Sequence, residues 1–163
     1  MAKTSYAVAL GSNRRSRHGS PEATLRAAAD AIGAERLSAV RATPALGPAG
    51  RSFANAAAIV TTDLSPPELL SKLKGIERAF GRRRGRSWGA RVLDLDILLW
   101  SEGCWKEGDL LIPHPHMRDR RFVLDPLAEL APDWRDPILG LSMRQLRWRL
   151  RAAKPIRRDA SSG

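Results

Sequence analysis

The order in which short apolar runs and helical patterns alternate is the feature that most restricts the fold of this 163-residue chain. Short runs rich in alanine, valine, leucine and isoleucine predict strands, and apolar residues that recur every three or four positions predict helices. Both predicted helices begin with serine, proline and glutamate, which is typical of a capped helix start. The predicted strands cover 5–10, 36–42, 53–61 and 92–100, and the helices start at Ser20-Pro21-Glu22 and at Ser65-Pro66-Pro67-Glu68.

The chain order strand-helix-strand-strand-helix-strand indicates a ferredoxin-like (βαββαβ) fold of the α+β class. Such a fold is a two-layer sandwich in which an antiparallel-type sheet carries helices on one face. C-terminal extra helices are expected near 123–130 and near 143–150, the second after a capping box from Ser142 to Gln145. We expect a single domain over 1–163, with a flexible tail from about residue 155.

The net charge of +11 is concentrated in two basic segments. Residues 82–91 contain five arginines and no acidic residue, and residues 144–158 contain seven basic residues and no acidic residue. The candidate partners are therefore a polyphosphate, a nucleic acid or an anionic surface. A solvated amphipathic helix, with Met143, Leu146 and Leu150 turned inward, is the simpler account of the second segment.

The cysteine count and the lack of a long apolar run exclude several classes of protein. Cys104 is the only cysteine, so an internal disulfide framework and a zinc site built from cysteines are both excluded. No apolar run approaches the roughly 18 residues of a membrane span. The N-terminus has the pattern of a strand and not of a secretory signal. We therefore expect a cytoplasmic protein with no membrane partner.

Two aspartates interrupt the strongest strand pattern, which covers residues 92–100. Side chains two residues apart in a strand point to the same side, so Asp94 and Asp96 project together. The other side is expected to face the core and consists of Leu93, Leu95, Ile97 and Leu99. Two carboxylates on a rigid strand suit Mg²⁺, which binds one or two carboxylates together with water and substrate phosphates. The alternative is a pair of solvated acids on an open sheet face, although aspartate is depleted in strands.

Five arginines precede the strand that carries this aspartate pair. Arginine offers a planar, permanently charged fork for phosphate oxygens. Carboxylates for magnesium beside arginines for phosphate indicate a magnesium–nucleotide site. The sequence has no G-x-x-x-x-G-K-[ST] motif, no G-x-G-x-x-G motif after a strand and no protein-kinase signature set. A nucleotide would therefore be held without a glycine cradle.

Several short motifs occur in a fixed order over roughly residues 5–150. The central motif is Trp88-Gly-Ala-Arg91-Val-Leu-Asp94-Leu-Asp96-Ile-Leu98. The others are Gly11-Ser12-Asn13, Thr43-Pro44-Ala45-Leu46-Gly47-Pro48, Phe53-Ala54-Asn55-Ala56-Ala57, Ile76-Glu77, Gly81-Arg82, Pro113-His114, Arg120-Arg121-Phe122-Val123-Leu124 and the stretch 126–132. Their order and spacing resemble the 6-hydroxymethyl-7,8-dihydropterin pyrophosphokinase family of folate biosynthesis. The Arg-x-x-Asp-x-Asp core is only moderately specific, whereas the ordered set is highly specific.

The resemblance implies an enzyme that transfers pyrophosphate from ATP to the hydroxymethyl group of 6-hydroxymethyl-7,8-dihydropterin and releases AMP. By position, Asp94 and Asp96 match carboxylates that hold two Mg²⁺ ions. The implied catalytic residues are Arg82, Arg84 and Arg91. The implied ATP-binding residues are Glu77, Arg82, Arg84, Trp88, Arg91, Ile97, His114 and Arg120. The implied pterin-binding residues are Thr43, Pro44, Leu46, Phe53, Asn55 and Phe122. We expect a monomer whose partners are these two small molecules, with no nucleic acid.

The matched residue types suit a flat heterocycle and a polyphosphate. Two aromatic rings, Phe53 and Phe122, can sandwich a pterin, and the Asn55 amide can donate to and accept from its edge. Arginines neutralise charge that develops during the transfer, and a glycine-containing arginine loop suits a lid that orders on ATP. No general base is evident, so we expect a metal ion to lower the pKa of the attacking hydroxyl.

Three positions depart from the usual family pattern, and they support the first alternative function. Ser87 stands where the family usually has a charged residue, Asp109 where a basic residue is common, and His116 where arginine is frequent. The first alternative is therefore a relative with an altered substrate or lost activity. The second alternative is a basic nucleic-acid-binding module. Such modules stack bases on strand aromatics, and the strand at 5–10 supplies only Tyr6.

Overall fold

A computed structural model of the chain describes residues 2–43, 53–81 and 92–153. The strands are β1 (Thr4–Ser12), β2 (Arg36–Leu37), β3 (Arg41–Thr43), β4 (Phe53–Thr62), β5 (Asp94–Trp100), β6 (Trp105–Glu107) and β7 (Leu110–Ile112). The helices are α1 (Pro21–Ile32), α2 (Pro66–Ala79), α3 (Arg121–Leu130) and α4 (Met143–Ala152). Over these three ranges, no helix is both long enough and apolar enough to cross a membrane.

The central sheet is antiparallel and has the strand order β2-β4-β1-β5, with β3 also paired to β4. The prediction of one strand over 36–42 is only partly right, because the structure has two short strands there, β2 and β3. Between them, the Ser38 N–H donates to the Ala57 carbonyl (2.9 Å) and the Ser38 hydroxyl accepts from the Ala57 N–H (2.9 Å). A side-chain oxygen thus takes the place of a strand carbonyl and interrupts the regular ladder.

The helix starts predicted from polar residues are confirmed by their capping hydrogen bonds. The Ser20 hydroxyl accepts the N–H of residue 23 (3.2 Å) at the start of α1. Ser65 with Glu68, and Ser142 with Gln145, form capping boxes at the starts of α2 and α4. The residue after α1, Gly33, has a φ of 79°, in the left-handed region that favours glycine.

Helices cover both faces of the sheet, so the prediction of two layers with helices on one face is incomplete. The face that includes Tyr6 and Val8 packs against α1 and α2, whereas the face that includes Ala7 and Ala57 packs against α3 and α4. The reason lies in β4, where every residue from 54 to 60 is buried. A strand that is largely apolar on both sides must be covered on both sides.

A bulge in β5 changes which face its last residues occupy. The pairing of β5 with β1 shifts between Ala7 and Val8, and this shift leaves Leu98 as an extra residue. Leu95 packs on the side of α1 and α2, but Leu98 and Leu99 pack with α3 and α4. The prediction that Leu99 shares a face with Leu95 is therefore wrong, because strict alternation does not anticipate an inserted residue.

A hairpin made of β6 and β7, which is not among the predicted elements, follows β5. Its signal is Gly108-Asp109 between two short runs that contain tryptophan, leucine and isoleucine. Gly108 has a φ of 58°, which a tight hairpin turn requires. After β7 the chain passes through the cis Ile112–Pro113 peptide to His114.

The basic helix α4 packs as predicted, with Met143 and Leu146 buried beside α3. Its arginines also contact acidic groups on neighbouring segments. The Arg147 and Arg151 guanidinium groups lie 3.0 and 3.9 Å from the Asp125 carboxylate of α3. Helix packing and ion pairing thus account for part of the basic segment 144–158 without a ligand.

The connection between α3 and α4 is organised around Asp136, whose side chain is fully buried. Its carboxylate accepts two hydrogen bonds from the Arg118 guanidinium, one of them 2.9 Å long. It also accepts from the N–H groups of Ile138 (2.9 Å) and Leu139 (3.3 Å). Burial alone raises the pKa of Asp136, but these hydrogen bonds outweigh burial and hold the pKa below its ordinary value.

Candidate functional site

Asp94 and Asp96 lie on β5, the edge strand of the central sheet. Asp94 pairs with Gly11 of β1, and Asp96 pairs with Ala9. Asp96 is exposed and Asp94 is half-buried, whereas Leu95 between them is fully buried on the opposite face. The strand therefore presents the two carboxylates on one face and keeps its apolar residue in the core.

A row of paired residues crosses the sheet from Asp94 to its far side. Asp94 of β5 pairs with Gly11 of β1, Gly11 pairs with Asn55 of β4, and Asn55 pairs with Arg41 of β3. Directly paired residues share a face of the sheet. Because neighbouring strands lie about 4.8 Å apart, the Cα atoms of Asp94 and Asn55 are roughly 10 Å apart. The aspartate pair and the Asn55 amide thus border one surface.

Gly11 keeps the middle of this row open. A Cβ atom at Gly11 would lie 3.5 Å from Asn55 Oδ1 and 3.9 Å from Phe53 Cδ1. Any side chain at this position would therefore occupy the surface between Asn55 and the aspartates. Gly11 belongs to one of the sequence motifs, but the motif does not reveal this role, because only the strand register identifies the neighbours of Gly11.

Three of the residues predicted to bind the pterin lie together at one end of β3 and β4. Phe53 pairs with Thr43, and Phe53 and Asn55 share a face because they are two residues apart. A fourth predicted residue, Phe122, lies in the first turn of α3 with an exposed ring. The helix α3 packs on β4, β1 and β3, which brings the Phe122 segment to the same side of the sheet.

His114 adds a hydrogen-bond donor beside the aspartate pair. Its N–H donates to the Leu98 carbonyl (2.9 Å), and its Nδ1 accepts from the His116 N–H (3.1 Å). Burial lowers the pKa of His114, the charge of Asp96 opposes that shift, and the charge of Arg120 adds to it. A neutral imidazole whose Nδ1 accepts a hydrogen bond carries its proton on Nε2. His114 therefore offers an Nε2–H donor in the neighbourhood of Asp96 and Arg120.

Arg120, His116 and Asp109 lie on the segments that follow β5. The Arg120 guanidinium carbon lies 5.9 Å from the centre of the Phe122 ring. His116 Nδ1 lies 3.6 Å from the Asp119 carboxylate, and Asp109 lies in the turn of the β6–β7 hairpin. Among the described residues, Arg120 thus places a permanent positive charge beside the Phe122 ring.

Two residues predicted to line the ATP site have buried side chains. Ile97 packs in the core on the side of α1 and α2, so any contact with a nucleotide would fall to its backbone. Glu77 of α2 is only 1% exposed, and its Oε2 accepts a 2.7 Å hydrogen bond from the Leu95 N–H. The remaining predicted site residues lie outside the described residues, and they are Pro44, Leu46, Arg82, Arg84, Trp88 and Arg91.

The donor set at the aspartate pair suits a hard cation that is also bound by a substrate. In the part of the chain that the structure describes, no group of three or more histidine, cysteine, aspartate or glutamate side chains could hold a metal ion. Asp94 and Asp96 supply two carboxylates. Mg²⁺ fits this pair, because it takes one or two carboxylates and completes its coordination with water and phosphates.

Comparison with known proteins identifies a family and several relatives. The sequence model of the family described as 7,8-dihydro-6-hydroxymethylpterin-pyrophosphokinase (HPPK) matches residues 7–132. A 2-amino-4-hydroxy-6-hydroxymethyldihydropteridine pyrophosphokinase of Synechocystis sp. is 45% identical over 115 residues, which are 71% of this chain and 59% of that relative. The protein of the same name from Pseudomonas aeruginosa is 45% identical over 139 residues, which are 80% of this chain and 82% of that relative.

The fold is also similar to that of a solved structure. The crystal structure of wild-type Plasmodium falciparum HPPK-DHPS matches with a TM-score of 0.69 at 13% sequence identity. The match covers 90% of this chain and 44% of that chain. At this identity the likeness concerns the fold alone, and this chain corresponds to less than half of the larger protein.

Proposed function

Because the chain belongs to the 7,8-dihydro-6-hydroxymethylpterin-pyrophosphokinase (HPPK) family, we propose that it transfers pyrophosphate from ATP to the hydroxymethyl group of 6-hydroxymethyl-7,8-dihydropterin and releases AMP. The observation that carries the proposal is the row Asp94–Gly11–Asn55 across three adjacent strands. It combines a cation-binding pair, an open glycine surface and an amide on one face. A pterin held at Asn55 would then direct its hydroxymethyl group towards the aspartates.

The pterin would lie on the surface that borders Gly11. The Asn55 amide can both donate and accept, which suits the edge of the heterocycle. Phe53 and Phe122 offer aromatic faces for stacking from β4 and α3. Thr43, Pro44 and Leu46 complete the proposed pocket from the segment that follows β3. The stacking rings come from two different layers, so the pocket depends on the packing of α3 against the sheet.

Asp94 and Asp96 would hold Mg²⁺ at the other end of the row, and we propose two ions, as the resemblance implies. When bound, the cations would neutralise phosphate charge and lower the pKa of the attacking hydroxyl. The edge strand β5 would fix the positions of the two carboxylates that bind these cations. Arg82, Arg84 and Arg91 are proposed to bind the phosphates and to stabilise charge that develops during transfer.

His114 and Arg120 are proposed to contact the ATP on the same edge. The His114 Nε2–H is a donor, and Arg120 is a permanent cation. Trp88 and Ile97 are the other proposed members of the ATP site, whereas the Glu77 side chain is 1% exposed and is bound to the Leu95 N–H. With ATP as co-substrate, these groups would place the β-phosphorus near the hydroxyl that attacks it. Holding the two reacting atoms close together in this way accelerates the reaction.

We also propose the fold family, the domain organisation, the oligomeric state and the location of the protein. The strand order, with β1 between β4 and β5 and antiparallel neighbours, supports the ferredoxin-like arrangement for the sheet with α1 and α2. We further propose a single domain over 1–163, a monomer and a cytoplasmic location. The nucleic-acid-binding alternative loses the aromatic residue of the strand at 5–10, because Tyr6 is fully buried and its hydroxyl donates to the Leu64 carbonyl (2.7 Å).

The proposed function is tested by identifying the nucleotide product. The purified protein is incubated with Mg²⁺, ATP and 6-hydroxymethyl-7,8-dihydropterin, and AMP and ADP are separated by chromatography. We expect AMP that forms only when the pterin is present, in a one-to-one ratio with the pyrophosphorylated pterin. ADP would mean attack at the γ-phosphorus and a different kinase. A folded protein that turns over no nucleotide would favour the relative with altered substrate or lost activity.

A substitution at Gly11 tests whether the pterin occupies the open surface. Gly11→Val should raise the KM for the pterin by roughly tenfold or more, because two methyl groups fill a site that is closely bordered by Asn55 and Phe53. The KM for ATP should change by less than about twofold. Steady-state kinetics with each substrate varied in turn measures both values.

The matched control at this position is Gly11→Ala. Its Cβ would meet ordinary contacts of 3.5 and 3.9 Å, so this variant should fold and show a smaller rise in the pterin KM. Equal changes in the KM values for both substrates would contradict the placement of the pterin at Gly11. Circular dichroism of the two variants guards against a general loss of structure.

A further inference from the structure

Glu77 joins helix α2 to the strand that carries the aspartate pair. Its side chain is 1% exposed, and its Oε2 accepts a 2.7 Å hydrogen bond from the Leu95 N–H. Its Oε1 lies 3.3 Å from Lys74 Nζ on the same helix. The residue that receives this contact, Leu95, is the one that separates Asp94 from Asp96 in the chain.

The Leu95 N–H needs a partner because of its place in the sheet. Strand β5 forms the edge of the central sheet, and Leu95 pairs with Leu10 of β1 on its inner side. Backbone groups alternate in direction along an antiparallel strand, so every second N–H of an edge strand points away from its neighbour. The Leu95 N–H is one of these groups, and leaving it unsatisfied in a buried position would destabilise the strand. Glu77 supplies the missing acceptor.

We propose that Glu77 is a positioning residue, which fixes the direction of Asp94 and Asp96 by holding the strand at the Asp94–Leu95 peptide. The held N–H belongs to the Asp94–Leu95 peptide, so rotation of this peptide would turn the Asp94 carboxylate directly and would displace the short stretch of strand that leads to Asp96. The catalytic consequence of this role rests on the proposed function, whereas the hydrogen bond itself does not. Groups that orient metal-binding residues in this way commonly contribute about 10- to 100-fold to activity or metal affinity.

If Glu77 acts through this hydrogen bond, the essential property of residue 77 is the length of its side chain and not its negative charge. A direct role of the Glu77 charge at the nucleotide or at a cation would require a carboxylate. The hydrogen bond to Leu95 requires only an acceptor oxygen at the same distance from the helix. Glutamine keeps the length and the acceptor but removes the charge, whereas aspartate keeps the charge but is shorter by one methylene group.

Amide hydrogen exchange measured by NMR on Glu77→Gln and Glu77→Asp separates the two roles. We expect exchange of the Leu95 amide to become about 10- to 100-fold faster in Glu77→Asp and to stay near the wild-type rate in Glu77→Gln. The kcat for pterin-dependent AMP formation should fall by about 10- to 100-fold in Glu77→Asp. In Glu77→Gln it should stay within about threefold of the wild-type value.

Glu129 offers a matched control for the exchange measurement. Its carboxylate also accepts a backbone N–H, that of Ala39 at 2.9 Å, and also contacts a basic side chain, that of Arg41 at 2.6 Å. Glu129→Asp should accelerate exchange of the Ala39 amide and leave that of Leu95 unchanged. Acceleration at Leu95 in this variant would show that a general loosening of the sheet, and not the Glu77 contact, governs the exchange.

Each outcome decides one part of the proposal. Unchanged Leu95 exchange in Glu77→Asp, or a Glu77→Gln variant with less activity than Glu77→Asp, would overturn it. Faster Leu95 exchange with full activity would show that the contact does not position the aspartates. A wild-type protein that forms no AMP would refute the proposed function, and the exchange rates would still decide whether Glu77 holds the strand.

Discussion

Replacing Asp94 and Asp96 together with alanine should lower kcat for pterin-dependent AMP formation by about a thousandfold or more. The two carboxylates are the only acidic side chains of β5, and both project from the face that borders Gly11. Under the proposed function, the phosphates and the attacking hydroxyl would then lose the cations that neutralise their charge. A loss of several kcal/mol of transition-state stabilisation corresponds to such a factor, since about 1.4 kcal/mol changes a rate tenfold.

The control for this double variant is the replacement of two aspartates elsewhere. Asp30 and Asp63 are both exposed, and Asp30→Ala with Asp63→Ala makes the same change in net charge. This control should retain activity within a few-fold of wild type. If Asp94→Ala with Asp96→Ala keeps a tenth or more of the wild-type kcat at saturating Mg²⁺, the aspartates do not hold the catalytic cation.

The largest effect on stability is expected for Asp136→Ala, which should lower the free energy of unfolding by about 3–5 kcal/mol. The substitution leaves the Arg118 guanidinium without its carboxylate and leaves the N–H groups of Ile138 and Leu139 without their acceptor. For a chain of this length, the loss corresponds to a fall in Tm of roughly 6–20 °C. Urea unfolding followed by circular dichroism gives the free energy, and calorimetry gives the Tm.

An exposed ion pair from the same region provides the comparison. The Asp133 carboxylate contacts Arg144 at 3.4 Å, but both side chains are largely exposed. Asp133→Ala should therefore lower the stability far less than Asp136→Ala does. Similar losses for the two variants would contradict the central role of Asp136 in the connection between α3 and α4.

The acid dependence of stability should change along with Asp136. Its pKa is held below the ordinary value in the folded protein, so the unfolded chain binds a proton at higher pH than the folded chain does. The stabilisation is therefore fully present above the ordinary carboxyl pKa of about 4 and is lost as the pH falls through the lower, folded pKa. Asp136→Asn should flatten the fall in stability below about pH 4.

Most elements of the fold could be predicted because their ends carry local signals. Ser20, Ser65 and Ser142 cap three helices, and the capping bonds are set by residues three positions apart. The covering of the second face was not predicted, although the apolar run from Ala54 to Val60 contained the signal. The bulge at Leu98 could not be predicted, because it depends on the register between two strands that are distant in sequence.

The candidate site shows the same division between local and long-range information. The spacing of Asp94 and Asp96 predicts their common face, and the register agrees with it. The open position at Gly11 and the contact of Glu77 with Leu95 depend on elements brought together only by the fold. The sequence therefore indicates which residues carry the chemistry, and the tertiary structure shows which other residues hold those side chains in place.

The alanine-rich strand β4 limits how this protein can change over evolutionary time. Ala56, Ala57 and Ala58 are almost completely buried between helical layers on the two faces. An added methyl group on either face would overpack the core at a cost of about 1–3 kcal/mol. Neutral drift should therefore accumulate on the outer helix surfaces. A larger residue in β4 would persist only beside a compensating smaller residue on the helix it faces, so these positions are expected to evolve in pairs.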